Sequence, residues 1–168
     1  MLDGSLPKAV DKLAHYKAKF GEARIEKMIP HMKAVGLEEG ITFSYGGEIG
    51  NTFDSHRLIE WAKRSSDATT VDALVACIMT RYFEREANLA DHAVLCDAAA
   101  DAGLDADAAA AFLNTDELSQ ETRDAIDSAY TRGVSGVPFF IFNDKYALSG
   151  AQPADVVADV LDKVAAEL

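Results

Sequence analysis

The stretch Gly133–Pro153, GVSGVPFFIFNDKYALSGAQP, constrains this chain more than any other. Phe139–Phe142 is an apolar run with no alternation, the pattern of a strand buried on both faces inside a sheet. Asn143, Asp144 and Lys145 supply turn chemistry, Tyr146–Ser149 returns as a second strand, and Gly150–Pro153 breaks the hairpin ahead of a helix. Pro138 heads the first strand. Proline cannot donate to a ladder and holds the residue before it extended, so Val137–Pro138 marks a special backbone position. Spacing alone leaves two readings open: a trans proline that starts a strand, or a cis bond that turns the backbone of Val137 outward as a short docking edge.

Most of the remaining chain reads as helix. Ser5, with Pro7 in the first turn, opens a helix whose Val10, Leu13, Ala14 and Phe20 share a side and which stops at Gly21. A second helix runs from about Glu22 to Val35 with Ile25, Met28, Ile29 and Met32 on one side, a kink at Pro30 and Gly36 as its stop. Ile41–Tyr45 is β-prone and reads as a stray strand or as extended chain. Asn51–Thr52 caps a helix over Phe53–Arg64, with Leu58, Ile59 and Ala62 inward. The next opens at Thr69–Thr70 and carries a stripe of Val71, Leu74, Val75, Ile78 and Tyr82. Further helices span Asp91–Ala102, Asp105 through Leu113, and Thr115 to Gly133. The last, with Pro153 in its first turn, has Val156, Val157, Val160, Leu161 and Val164 in one stripe that suits one face of the hairpin.

Side chains with chemistry are few. His56 and Arg57 stand near a helix N-terminus, where they either hold an anion such as a substrate carboxylate or remain a solvated surface pair. Cys77 lies beside an apolar stripe and Cys96 within a helix; both read as packing thiols, because a reactive cysteine needs exposure and a lowered pKa. No His/Cys spacing suits zinc, and no cofactor is expected. A net charge of −12 argues against nucleic acid or an anionic membrane as partner. The absence of a signal-like start and of a long apolar segment gives a cytoplasmic expectation.

The blocks GVSGVPFF (Gly133–Phe140) and SGAQP (Ser149–Pro153) resemble the C-terminal end of DsbA-family thioredoxin-fold proteins, most closely the FrnE-like subgroup. NTFDSHRL (Asn51–Leu58) is similar to the N-T-x-x-A-H-R-L of that subgroup, with Ser55 in place of alanine, and Tyr82–Asp105 fits the helical stretch between. The resemblance implies an α/β, thioredoxin-like fold of DsbA type, helix-dominated and incomplete. It would be a single domain over residues 1–168, with a helical insertion at about 53–132 and a C-terminal ββα unit at 133–168.

What the resemblance implies for function is thiol–disulfide exchange, with a cis-proline loop at Gly136, Val137 and Pro138 aligning an extended peptide or thiol substrate. The family's opening strand, C-P-x-C helix and second strand have no counterpart here, so no dithiol activity is expected of these 168 residues. The same gap takes away the serine of related hydroxychromene-carboxylate isomerases and kappa-class glutathione transferases. Three readings follow: an oxidoreductase-family member without its thiolate, a non-catalytic peptide-binding or chaperone-like protein, or a fragment of a longer oxidoreductase. An uncovered edge on Phe139–Phe142 would favour a homodimer or a swapped assembly that covers it, with Ile41–Tyr45 as a candidate substitute strand.

Overall fold

The computed structural model describes residues 6–167, which fall into two compact units, one ending at Thr122 and the other beginning at Arg123. In the first, β1 (Val10–Asp11) pairs antiparallel with β2 (Glu48–Ile49), Val10 opposite Ile49. Helices α1 (Lys12–Phe20), α2 (Glu22–Glu38), α3 (Phe53–Ser65), α4 (Ala68–Phe83), α5 (His92–Asp101) and α6 (Ala106–Leu113) make up the rest. The chain leaves this unit along α7 (Ser119–Thr131). The second unit holds β3 (Phe139–Phe142), β4 (Tyr146–Ser149) and α8 (Ala154–Ala165).

Several boundaries differ from the sequence expectation for identifiable reasons. Ser5 lies outside the described residues. The cap of α1 is Asp11, whose carboxylate accepts from the Ala14 N–H at 2.6 Å, because Val10 and Asp11 are drawn into the ladder with β2. The stop at Gly21 holds, with φ +89. Gly36, in contrast, does not end α2. It sits buried inside the helix, where an added Cβ would lie 2.5 Å from a Phe43 ring carbon and 2.8 Å from the Ile41 carbonyl oxygen. Its role is close approach, and the left-handed turn falls at Gly40, φ +75. Ile41–Tyr45 is extended chain: Thr42 N–H donates to Glu84 Oε2 at 3.0 Å and Ser44 N–H to the Phe83 carbonyl at 2.7 Å. The seventh helix starts at Ser119, since Leu118 takes φ +61 and Thr115 is spent in a turn, its hydroxyl donating to the Phe112 carbonyl at 2.7 Å.

The core belongs to the first unit. Leu58 and Ala62 of α3, Leu74 of α4, Leu95, Ala98 and Ala99 of α5, and Ala109 of α6 are fully buried in one cluster. Alanines on α5 and α6 let these backbones approach closely, while Trp61 stacks on Phe112 with ring centroids 5.7 Å apart. Ile59 and Val75, expected inside, are only half-buried, Ile59 packing against the cluster.

In the second unit Phe139 faces Ser149 and Phe142 faces Tyr146 across the ladder. Asn143 and Asp144 both take positive φ, 50° and 51°, as a tight hairpin turn demands. The strand is not buried on both faces: Phe139, Ile141 and Phe142 are half-buried and Phe140 is 41% exposed. The sheet here has two strands, and α8 packs on β3 through a stripe that splits, Val157, Val160 and Val164 half-buried but Val156 and Leu161 exposed.

Candidate functional site

The loop ahead of β3 is aimed by the end of α7. Gly133, at φ +88, donates its N–H to the Tyr130 carbonyl at 2.9 Å, and Val134 N–H reaches the Ala129 carbonyl at 3.0 Å. That bond pair is a Schellman motif, which glycine permits because it lacks a Cβ penalty in the left-handed region. The chain then runs through Gly136 to the Val137–Pro138 peptide bond, which is cis. The Pro138 carbonyl accepts from Gly150 N–H at 2.9 Å, which joins the loop to the start of the SGAQP block. An ion pair between Arg132 and Asp144 at 2.6 Å links the end of α7 to the hairpin turn.

Val137 is left presented. Its side chain is 88% exposed, and among the described residues no partner bonds its N–H or C=O. Nothing lies within 4 Å of where a Cβ on Gly136 would stand, so approach to the loop is open. A donor and an acceptor left without a described partner on an exposed backbone can pair with one residue of an extended chain.

His56 and Arg57 belong to the first unit, and Arg57 is neither a surface residue nor an anion site. It is 3% exposed. Its Nε and Nη2 donate to the Glu117 carbonyl at 3.1 and 2.8 Å, Nη2 also to the Thr115 carbonyl at 2.5 Å, and Nη1 to Asp54 at 2.8 Å. With its guanidinium 5.0 Å from the Phe112 ring centre as well, Arg57 is a clamp between α3 and the loop after α6. Burial holds the His56 ring below its usual value, favouring the neutral form.

Neither cysteine is set up for nucleophilic attack. Both are free and half-buried against the core, Cys77 late in α4 and Cys96 in the middle of α5. Burial, reinforced by Asp97, Asp107 and Asp91, pushes the Cys96 thiol up, the opposite of what a redox thiolate requires.

Two arrangements have no counterpart in the sequence reading. A cleft of about 830 Å³ in the first unit is lined by Pro7, Lys8, Asn51, Asp54, Asn88 and His92 among others. In it Asp54 Oδ2 meets His92 Nε2 at 2.7 Å; burial works to raise the Asp54 carboxyl, but its bonds to Arg57 and His92 outweigh it and hold it below the usual range. Lys12 is buried, its Nζ donating to the Tyr82 carbonyl at 2.9 Å and lying 4.3 Å from that ring's centre. Burial lowers its pKa against the pull of Glu86. Both depend on residues far apart in sequence, and Lys12 beside Asp11 reads locally as an ordinary helix start.

A search of curated proteins found no match. Among solved structures, the chain is similar to a probable DsbA oxidoreductase from Streptomyces coelicolor, at 30% identity and TM-score 0.87, over 99% of this chain and 73% of that one. It also shares a fold with a putative protein disulfide isomerase from Nitrosomonas europaea, at 19% identity and TM-score 0.68, over 88% of this chain and 74% of that one. A family model described as DSBA-like thioredoxin domain matches residues 6–162. The chain therefore belongs to the DSBA-like thioredoxin domain family, and its helix-dominated α/β architecture is thioredoxin-like of DsbA type.

Proposed function

We propose that this chain is a FrnE-like member of the family and that these 168 residues dock an extended peptide or thiol substrate at Gly136, Val137 and Pro138 without supplying the attacking sulfur. The subgroup assignment rests on GVSGVPFF, SGAQP and NTFDSHRL. The observation that carries the docking reading is the backbone of Val137, which no described residue bonds, with Val137 88% exposed beside Pro138. Exchange needs a thiolate with a lowered pKa, typically at a helix N-terminus. Cys77 and Cys96 are the only cysteines, neither is so placed, and Cys96 is shifted the wrong way.

The test has two arms. In the first, the blocked octapeptide Lys-Val-Thr-Val-Thr-Val-Thr-Lys is titrated while backbone amide exchange at Val137 is followed; slowing at Val137 is expected, and unchanged exchange at saturating peptide refutes docking. In the second, insulin reduction by dithiothreitol runs at the uncatalysed rate in the presence of the chain. Acceleration lost on Cys77→Ser or Cys96→Ser would show that these residues do carry a reacting sulfur.

A further inference from the structure

We infer that the end of α2, the segment that follows it and the end of α4 form a docking surface for an amphipathic helix of a partner protein, one whose apolar face is flanked by Lys and Arg. The surface lies wholly within the first unit. Val35 is 40% exposed, Ile41 36%, Phe83 40% and Met79 49%, and these four side chains are neighbours. Ile41 N–H donates to the Gly36 carbonyl at 2.7 Å and Gly40 N–H to the Leu37 carbonyl at 3.2 Å, a Schellman motif that folds Ile41 back towards Val35. The Phe43 ring packs over Gly36 and meets the Phe83 ring edge-on, with centroids 5.7 Å apart. Met79 stands one turn before Phe83 on the same side of α4. Large apolar residues exposed singly are ordinary, whereas a contiguous group of them marks an interaction site.

The charges around this group are acidic. Glu38 and Glu39 follow Val35 by three and four positions and so share its side of α2, and Asp72 lies two turns before Met79 on its side of α4. Glu84 closes α4, its carboxylate accepting from Thr42 N–H at 3.0 Å. Both helices end here, and a helix C-terminus carries partial negative charge. Lys33, two positions before Val35, lies across the helix from it, and Arg85 stands beyond the end of α4. A partner that covers the apolar group therefore gains by bringing cations to its rim.

The backbone selects a helix over a strand. The N–H groups of Ile41, Thr42 and Ser44 are spent on the Gly36 carbonyl, the Glu84 carboxylate and the Phe83 carbonyl, so this extended segment offers side chains and no ladder of donors. A helix docks through side chains alone, with apolar residues at intervals of three and four. A second copy of the chain is the competing occupant, and its own acidic rim and net charge of −12 oppose it.

The probe is the blocked peptide Lys-Leu-Ala-Lys-Leu-Leu-Lys-Lys-Leu-Ala-Lys-Leu-Leu-Lys, whose leucines recur at helical spacing; it is labelled for fluorescence anisotropy and titrated with the 168-residue chain. Binding is expected, and the counterpart with Glu in place of every Lys should not bind. Val35→Gln combined with Met79→Gln is expected to weaken binding about tenfold, while Leu37→Gln, at an exposed position across α2 from the surface, leaves it unchanged. Glu38→Lys combined with Glu39→Lys should weaken binding about threefold and let the Glu counterpart bind, a gain that loss of folding cannot produce. Absence of binding, equal weakening by Leu37→Gln, or equal binding of a peptide of the same composition with its leucines scrambled out of helical spacing overturns the inference. Sedimentation of the chain alone gives the remaining outcome: a dimer that Met79→Gln dissociates assigns the surface to a second copy and likewise overturns it.

Discussion

The two units of this chain use apolar residues differently. The first encloses a core in which Leu58, Ala62, Leu74, Leu95, Ala98, Ala99 and Ala109 have no measurable exposure. The second is comparably apolar along β3 and α8, yet among its described residues none is buried. Burial removes apolar surface from water only where several elements converge, and a hairpin with one helix gives each side chain one covered side. Stability accordingly resides in the helical unit, and unmet backbone and apolar groups reside in the hairpin unit. The docking proposed at Val137 would draw on these incompletely covered surfaces.

The largest expected effect tests that contrast directly. Leu95→Ala removes a fully buried side chain from the cluster and should destabilise by about 2–5 kcal/mol, the range for cavities that relax poorly. Phe140→Ala truncates a larger side chain that is already 41% exposed, and should destabilise by about 1 kcal/mol or less. Urea unfolding followed by circular dichroism measures both. Equal losses would erase the distinction between the units.

Arg57 sharpens the same contrast within the first unit. Arg57→Ala strips the Thr115 and Glu117 carbonyls of their donor and leaves Asp54 with His92 alone, for an expected loss of about 3 kcal/mol. Arg132→Ala in the second unit breaks an exposed ion pair with Asp144 and should change stability by less than about 1 kcal/mol. The same unfolding curves decide, and a small effect at Arg57 would return it to the status of a surface charge.

Much of this was legible in the sequence because it depends on local chemistry. Apolar spacing set most of the helices to within a few residues, Asp91 and Asp105 accept from N–H groups in the first turns of α5 and α6, and the Asn143–Asp144 turn closes the hairpin, whereas α1 begins only at Lys12 and α4 is capped by Asp67 ahead of the expected Thr69–Thr70. The errors came where a distant residue decides. Gly36 looked like a helix stop, and Phe43 packing on it makes it a contact point. Arg57 read as either an anion holder or a solvated surface charge, and carbonyls some 60 positions along the chain take its donors. Phe139–Phe142 looked buried on both faces, but periodicity does not report how many neighbours a strand has. The special backbone position at Val137–Pro138 was readable from its proline, whereas the Asp54–His92 pair, 38 residues apart, was not.

A pair of glycines, one from each unit, gives a smaller effect. In Gly36→Ala the new methyl meets the Phe43 ring and the Ile41 carbonyl, and the strain outweighs the roughly 1 kcal/mol that alanine contributes inside a helix, leaving a net loss of about 1–2 kcal/mol. Gly136→Ala meets nothing within 4 Å and should leave stability within about 0.5 kcal/mol. A loss at Gly136 equal to that at Gly36 would mean that the loop is as closely packed as the core.

The smallest effect is a pH dependence confined to the first unit. Burial lowers the pKa of His56 in the folded chain, so below about pH 6.5 the unfolded chain takes up a proton that the native state resists. Unfolded protein then binds more protons, and stability falls as pH drops from about 7 towards 5. Asp54 acts lower on the scale. Its folded pKa is also depressed, by Arg57 and His92 against the effect of burial, so its contribution is present above about pH 4 and is lost as pH falls through the folded value. The two contributions have the same sign and occupy separate windows. Urea midpoints measured across this range should show a shallow decline that His56→Gln flattens and a steeper acid limb that Asp54→Asn flattens. A decline between pH 7 and 5 that persists unchanged in His56→Gln would mean that this ring is solvated, and would move the pH sensitivity out of the helical core.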